Sequence, residues 1–534
     1  MYTSEDFASL EFWELALSEA CWGVPQMAPG GALERAEHRR NEESSLLAEL
    51  RSPCCGLSPD TVHRRLFTST SLKKWRLPVS GTGDLKEEAV RGFIQRNGTV
   101  SPSSAIHWFT LRKMRELLDR WLPPTEALPL PKLGPGAVAE KYTWAQKRML
   151  LERVAEASMS CLPTLSGDPI IDHDRARLCA VPKQWDKDRL ITVEPYINTL
   201  LQQRARAYVF QCLSAGPLAR SRFWRRFWDV APLVQRDRAL LGSVTNACAT
   251  IDLSDASDGI SYDLVASVFP AHILAELDLS RTPYFVTDQG SYELKIYAGM
   301  GNATTFLVET LVFLAYCTAT AYRYGFRPQC TVFGDDIVCG DELARSGRLE
   351  NEGSFFRVNR AKSFWGGSPF RESCGVFAYK GVNVTVPKAK GFRLARPEEL
   401  LALSQYMRDL RATRTVVTRN LRKILAGYHP LPNLRWLPEN TIGMCEPCLR
   451  AFEHQDIRWN RHYQRLEVRC RQIAARTKVL DVDRQAGLDG WFIGAIRTER
   501  IFTRKRGPFY GVKVPLKGFD YRDRWLPASG TYGC

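Results

Sequence analysis

The run Thr331-Val332-Phe333-Gly334-Asp335-Asp336-Ile337-Val338-Cys339 constrains this chain more than any other feature. Two short apolar stretches rich in β-formers flank a Gly-Asp-Asp centre, which is a hairpin signal with its turn at the glycine. Adjacent carboxylates at the tip of apolar strands repel each other unless a cation lies between them and a partner. A hard divalent ion supplies that compensation, because magnesium prefers a few carboxylates plus substrate phosphates. Taken alone, the run also fits an ordinary Asp-rich turn.

A partner lies far upstream. Ala249-Thr250-Ile251-Asp252-Leu253-Ser254 alternates, with Ala249, Ile251 and Leu253 on one face, so Asp252 falls on the other face near a strand end. A helix is expected to begin after it, with Ser257 or Asp258 near its N-terminus; a plain helix cap is the alternative reading of Asp258. A strand-end aspartate facing a hairpin with two more is the arrangement that two-metal phosphoryl transfer needs.

Between these carboxylates lies Gly299-Met300-Gly301-Asn302-Ala303-Thr304-Thr305. Its glycines permit close backbone approach, and its small polar residues offer hydrogen bonds to a sugar or base. A plain Gly-rich loop capping the next helix is the alternative. Upstream, Val181-Pro182-Lys183-Gln184-Trp185-Asp186-Lys187-Asp188-Arg189 clusters three cations that either clamp a triphosphate or are simply solvated. The run Arg220 to Trp228 suits base stacking and phosphate contact, or else an amphipathic helix with its aromatics in the core.

The chain has 534 residues and no internal repeat. Its 44% hydrophobic and 25% charged content excludes wholesale disorder. The surplus of 16 positive charges attracts polyanions, although a basic solvated surface explains it as well. The acidic start, with Glu5, Asp6 and Glu11, is unlike a secretory signal, so a soluble, cytosolic protein is expected. Phe306 to Tyr322 is long and apolar but carries Glu309, and so reads as a buried helix. Fifteen scattered cysteines suit a reducing compartment. Cys445 and Cys448 have metal-ligand spacing, with His454, His462 and Cys470 following, but no second close pair completes a zinc set.

Leu111 to Trp121 has helical spacing, with Leu111, Met114, Leu118 and Trp121 on one side. Prolines and glycines from Leu122 to Gly136 mark a loop, and a helix is expected from about Trp144 to Ala157. Arg177 to Val193 is strand-like. From Ala249 to about Val386 strand and helix signals alternate, as in a compact α/β unit. After about Arg393 the chain reads as mostly helical. Among Arg408, Arg411, Arg414, Arg419 and Arg422, spacings of three and four place several on one helix face, either solvated or tracking RNA.

The order of these features resembles the replicase subunit of the positive-strand RNA bacteriophages, the levivirus group. The matching stretches are Gly242 to Asn246, Ile251 to Asp258, Met300-Gly301-Asn302, Phe333-Gly334-Asp335-Asp336 and Pro369-Phe370-Arg371-Glu372-Ser373-Cys374-Gly375. The resemblance covers about residues 134 to 387. It implies an α+β right-hand polymerase with fingers, palm and thumb, the palm an antiparallel sheet backed by helices. The regions would then be 1–250 for the N-terminal part and fingers, 251–392 for the palm, and 393–534 for a mostly helical thumb.

By the same resemblance, Asp252, Asp335 and Asp336 hold two magnesium ions, for which manganese can substitute. Ser257, Asp258, Gly301 and Asn302 sit near the ribose. Lys183, Lys187 and Arg189 face the triphosphate, and Lys362 lies beside the pyrophosphate as a general acid. Phe333 stands where tyrosine is common, a change expected to alter packing more than chemistry. The implied activity is RNA-dependent RNA synthesis from ribonucleoside triphosphates on an RNA template, in the cytoplasm of a bacterial host and without a membrane. The implied partners are the host elongation factors Tu and Ts.

Two other readings remain at this stage. A reverse transcriptase shares the paired aspartates but usually places a bulky residue by the sugar, where this chain has Ser257, Asp258 and Asn302. A non-catalytic RNA-binding virion protein explains the charge but gives no reason for Asp252, Asp335 and Asp336 to occur together.

Overall fold

The structure is a computed structural model. It describes residues 9–75, 82–130, 136–142, 146–147, 174–350, 355–389, 397–413, 415–428, 457–462, 465–483, 502–506 and 509–527. Apart from residues 146–147, the helix expected at Trp144 to Ala157 lies outside these residues, as do the pair Cys445 and Cys448 and His454. Contacts divide the chain into two compact units: Met1–Glu43 with Asp60–Pro78 and Val386–Cys534, and Ser44–Pro59 with Val79–Thr385. This division does not decide the three functional regions expected at 1–250, 251–392 and 393–534.

In the first unit, the helix Leu10–Trp22 starts at Ser9, whose hydroxyl accepts from the Phe12 N–H, and ends at Gly23 in the left-handed region. It buries Trp13 edge-on against Tyr406, at 5.5 Å between ring centroids. Two helices follow residue 393, Pro397–Thr413 and Val416–Tyr428, but the described residues beyond them are not helical. The C-terminal stretch instead forms an antiparallel sheet of β11 (Ile457–Asn460), β12 (Arg465–Asp483), β13 (Phe502–Arg506) and β14 (Phe509–Pro527), in the order β11-β12-β14-β13. Arginines and lysines interrupt the apolar alternation of these strands and hide it from a periodicity reading. The expected arginine face also divides, because Arg408 and Arg411 lie on one helix and Arg419 and Arg422 on the next.

The second unit holds three small sheets. The first contains β1 (Arg175–Gln184), β2 (Lys187–Val193), β4 (Tyr284–Thr287) and β5 (Gly290–Glu293), in the order β2-β1-β4-β5. The second contains β3 (Cys248–Ile251), β6 (Thr331–Phe333) and β7 (Asp336–Gly340), in the order β3-β7-β6. The third contains β8 (Phe370–Ser373), β9 (Val376–Tyr379) and β10 (Val382–Asn383). The pairings are antiparallel except β1 with β4. The unit is therefore α+β, as the resemblance implied, and not the α/β alternation that the signal order suggested.

The helix Thr305–Arg323 runs through the core of this unit. It is long and apolar enough to cross a membrane, yet 89% of its most apolar window is buried inside the protein. The helix Trp108–Trp121 packs on it and buries Met114, Leu117, Leu118 and Trp121, close to the expected stripe. The Arg220 to Trp228 run takes the core reading for its central rings. Phe223 and Phe227 are buried, Trp224 stacks on Phe227 at 5.1 Å, and Phe227 meets Phe333 at 5.0 Å. Trp228 remains 47% exposed.

Candidate active site

β6 and β7 form the expected hairpin, with Phe333 opposite Asp336 in register. Gly334 sits in the turn at φ +65°, and its N–H donates to Thr310 Oγ1 at 2.9 Å. β7 pairs with β3 through Ile251 and Ile337, which brings Asp252, just past the end of β3, to the hairpin tip. The expected polar face of β3 is absent: Thr250 is buried too, because it pairs with Phe364 on the far side. Asp252 is fixed from a third segment. Its N–H donates to Ser363 Oγ at 3.0 Å, and its Oδ2 accepts from Asn359 Nδ2 at 2.8 Å.

Asp252 and Asp335 line one cleft of about 1360 Å³. Lys183, Lys187, Arg189, Ser257, Asp258, Gly301, Asn302 and Lys362 line the same cleft. The fold thus gathers every expected site residue but one. The basic triplet arrives on the β1–β2 hairpin, where Arg189 stands opposite Val181 and Lys187 opposite Gln184. Gly301 has φ +125°, and a Cβ there would meet the Thr192 carbonyl oxygen at 2.1 Å. Only glycine lets this loop lie against β2 and carry Asn302 to the cleft. Asn302 Oδ1 is engaged by the Thr304 N–H at 2.9 Å and the Thr304 hydroxyl at 2.7 Å. Asp258 is not a helix cap. It lies in a 3₁₀ turn, Ser257–Gly259, and the next helix, Tyr262–Val268, is capped by Ser261.

The exception is Asp336, which does not line the cleft. Its Oδ1 accepts from the Cys374 N–H at 2.8 Å and the Ser373 hydroxyl at 3.3 Å, and burial pushes its pKa up to about 6. The Pro369 to Gly375 run therefore anchors the back of the hairpin. Within it, Arg371 is wholly buried; its Nε donates to the Cys248 carbonyl at 2.8 Å and its Nη2 to Asn246 Oδ1 at 3.2 Å. The three carboxylates expected as joint metal ligands are in this arrangement two plus one.

Opposed charges shape the cleft. Burial raises the Asp252 pKa, Lys362 works against it, and Asp335 adds to it. Burial lowers the Lys183 pKa, with Arg189, Lys362 and Lys187 adding repulsion. An anion among those four cations relieves that repulsion. Glu309 faces the same cleft from the Thr305–Arg323 helix, and burial holds its carboxyl well above the ordinary range, with Asp335 and Asp258 adding to the effect.

No group of three or more His, Cys, Asp or Glu placed to hold a metal ion occurs among the described residues. Asp252 and Asp335 nevertheless suit a hard divalent cation. They are oxygen donors on one cleft, Asp335 raises the cost of ionising Asp252, and Asp335 has no hydrogen-bond partner among the described residues. Magnesium is commonly held by one or two carboxylates plus substrate phosphates.

A family model described as RNA replicase, beta-chain, matches residues 148–442, more than half of the chain. The chain belongs to that family. Among curated relatives of this replicase beta-chain, the RNA-directed RNA polymerase beta chain of Escherichia phage MS2 is 34% identical over 233 residues, which is 43% of this chain and 40% of that protein. The RNA-directed RNA polymerase subunit beta of Qbeta virus (strain MX1) is 34% identical over 234 residues, which is 42% of this chain and 37% of that one. The match thus spans well under half the length of each relative. In backbone shape there is a weak likeness, TM-score 0.41 at 13% identity, to the RNA-dependent RNA polymerase of a human picobirnavirus, covering 78% of this chain and 86% of that one.

Sequence reading missed four residues of the replicase cleft or its support. Asn359 and Ser363 hold Asp252, Glu309 faces the cleft, and Arg96 reaches Asp258 with Nε to Oδ2 at 2.9 Å. Asn359 and Ser363 flank Lys362, which the resemblance had singled out. Arg96 carried no local signal at all.

Proposed function

We propose that this chain is the catalytic subunit of an RNA-directed RNA polymerase that copies a positive-strand phage RNA from ribonucleoside triphosphates. The observation that carries the reading is that Asp252 and Asp335 share one cleft with Lys183, Lys187, Arg189 and Lys362. Two carboxylates facing four cations across one space suit a reaction that brings a polyanionic triphosphate to a hydroxyl nucleophile.

In this reading the β1–β2 hairpin binds the triphosphate. Lys183, Lys187 and Arg189 neutralise its oxygens and orient it toward the carboxylates. Magnesium, or manganese in its place, held by Asp252 and Asp335 as one or two ions, would lower the barrier to attack by a primer 3′-hydroxyl and steady the leaving pyrophosphate. Asn359 and Ser363 keep Asp252 aimed. Lys362 donates a proton to the pyrophosphate as it departs. Asp258 and Asn302 form a polar wall beside the sugar. The sheet β3-β7-β6 with its helices is the palm of a right-hand polymerase, and the β1–β2 hairpin belongs to the fingers.

The relatives are named beta chains, so this chain would act within a complex. The phage resemblance extends the proposal to host elongation factors Tu and Ts, in the bacterial cytoplasm. The test is purified chain with RNA, magnesium and ribonucleotides, with and without host extract. Template-dependent RNA synthesis that Asp335→Asn abolishes is expected. Synthesis by Asp335→Asn at the wild-type rate would overturn the proposal.

A further inference from the structure

The helix Thr82–Gly98 lies outside the residues matched by the family model. Even so, it forms one wall of the cleft through Glu88, Gly92 and Arg96, among others. Its C-terminal end is pinned. Asn97 Nδ2 donates to the Glu293 carbonyl at 2.8 Å, and Asn97 Oδ1 accepts the N–H groups of Lys295 at 2.8 Å and Ile296 at 3.2 Å. Phe93 is buried edge-on against Phe285, at 5.2 Å between centroids. These anchors fix the backbone on either side of Arg96.

Arg96 spends its Nε on Asp258 Oδ2 at 2.9 Å and lies 3.6 Å from Asp255 Oδ1. Asp258 is only 6% exposed, and its second oxygen, Oδ1, is buried with no hydrogen-bond partner. An unpaired buried acceptor is costly, so its persistence on a cleft wall points to a donor that arrives with a ligand. Burial raises the pKa of this carboxyl, and the Arg96 guanidinium works against the rise.

We infer that Arg96 is a positioning residue for sugar selection: by holding Asp258 Oδ2, it leaves Oδ1 to accept a hydrogen bond from the 2′-hydroxyl of the incoming ribonucleotide. The inference rests on the polymerase reading above. A 2′-deoxy sugar would leave Oδ1 unpaired, and a site built to pair a hydroxyl rejects the analogue that lacks it. Lysine would keep the charge but lose the planar donor set that fixes the carboxylate plane.

The test compares kcat/KM for ATP and 2′-deoxy-ATP, on an RNA template with magnesium, for wild type, Arg96→Ala, Arg96→Lys, Asp258→Asn and Arg96→Ala combined with Asp258→Asn, with thermal midpoints for each. Arg96→Ala should lower the ribo-to-deoxy preference roughly tenfold, the scale of one charge-assisted hydrogen bond. Arg96→Lys should recover part of it. The double variant should discriminate no worse than Asp258→Asn alone. Equal slowing of both nucleotides by Arg96→Ala, or unchanged discrimination in Asp258→Asn, would overturn the inference. If Arg96→Ala unfolds, Arg96→Lys decides by the same criterion at an unchanged thermal midpoint. If the wild-type chain makes no RNA, the polymerase reading fails, and calorimetric binding of the two nucleotides decides this inference separately. A wild-type preference for ATP that Arg96→Lys weakens supports it, and equal wild-type affinities overturn it.

Discussion

Asn359 holds Asp252 at two points: its Nδ2 donates to Oδ2 at 2.8 Å, and its backbone N–H donates to the Asp252 carbonyl oxygen at 2.8 Å. The second contact survives any side-chain substitution, so the loop should keep its place when the first is lost. Asn359→Ala is then expected to lower kcat roughly tenfold, with a smaller change in KM, because a hydrogen bond to a charged group is worth about 1.5–3 kcal/mol. Steady-state kinetics on an RNA template check this. A rise in KM with kcat intact would mean that the contact serves nucleotide binding instead.

Asp335 and Asp336 are neighbours with opposite expectations. Asp335 is exposed on the cleft, so Asp335→Asn should stop synthesis and leave the thermal midpoint nearly unchanged. Asp336→Ala would strand the Cys374 N–H that Asp336 Oδ1 accepts. Leaving this partly buried donor unpaired costs about 1 kcal/mol, so that variant should melt a few degrees lower. Differential scanning fluorimetry on both variants separates the roles. A lower midpoint for Asp335→Asn than for Asp336→Ala would reverse the assignment.

The difference between those two aspartates marks where sequence legibility stopped. The hairpin, its turn glycine and the distant Asp252 were legible, because period-2 alternation and turn chemistry are local signals. Which way the Asp336 carboxylate faces was not, because it depends on Cys374 and Ser373 in another sheet. Arg96 was invisible for the same reason: it meets Asp258 across 162 residues of sequence. The strands after 457 were misread as helix because their charged residues blur the alternation that marks a strand. The alternative reading of Asp258 as a cap fails because Ser261 takes that place.

Glu309 gives a pH-dependent prediction with a fixed sign. Burial raises its folded pKa well above the ordinary value, and its side chain is part of a residue only 7% exposed. The folded state therefore favours the protonated form. That contribution to stability is complete below the unfolded value of about 4.3 and is lost as pH rises toward the folded value. Glu309→Gln keeps the shape and cannot ionise. In magnesium-free buffer, the midpoint of the variant minus that of wild type should increase steadily as pH is raised from about 4 toward neutrality. A difference that shrinks with rising pH would mean that Glu309 is ionised and paired in the folded chain.

Gly334 is held to glycine by two independent constraints, and they can be separated. Its φ of +65° costs any other L-residue about 1–2 kcal/mol. A Cβ there would also lie 2.3 Å from Phe306 Cε2. Phe306 cannot simply swing aside, because Phe333 packs against it at 4.8 Å and Trp228 at 5.5 Å. Gly334→Ala should therefore cost about 2–4 kcal/mol in urea unfolding, from backbone strain plus overpacking. Phe306→Ala removes the clash and leaves the strain, at the expense of a cavity beside Phe333 and Phe227. The two substitutions should then be non-additive, the double variant being more stable than the sum by about 1 kcal/mol or more. Additivity within about 0.5 kcal/mol would mean that the ring relaxes freely and that φ alone demands the glycine.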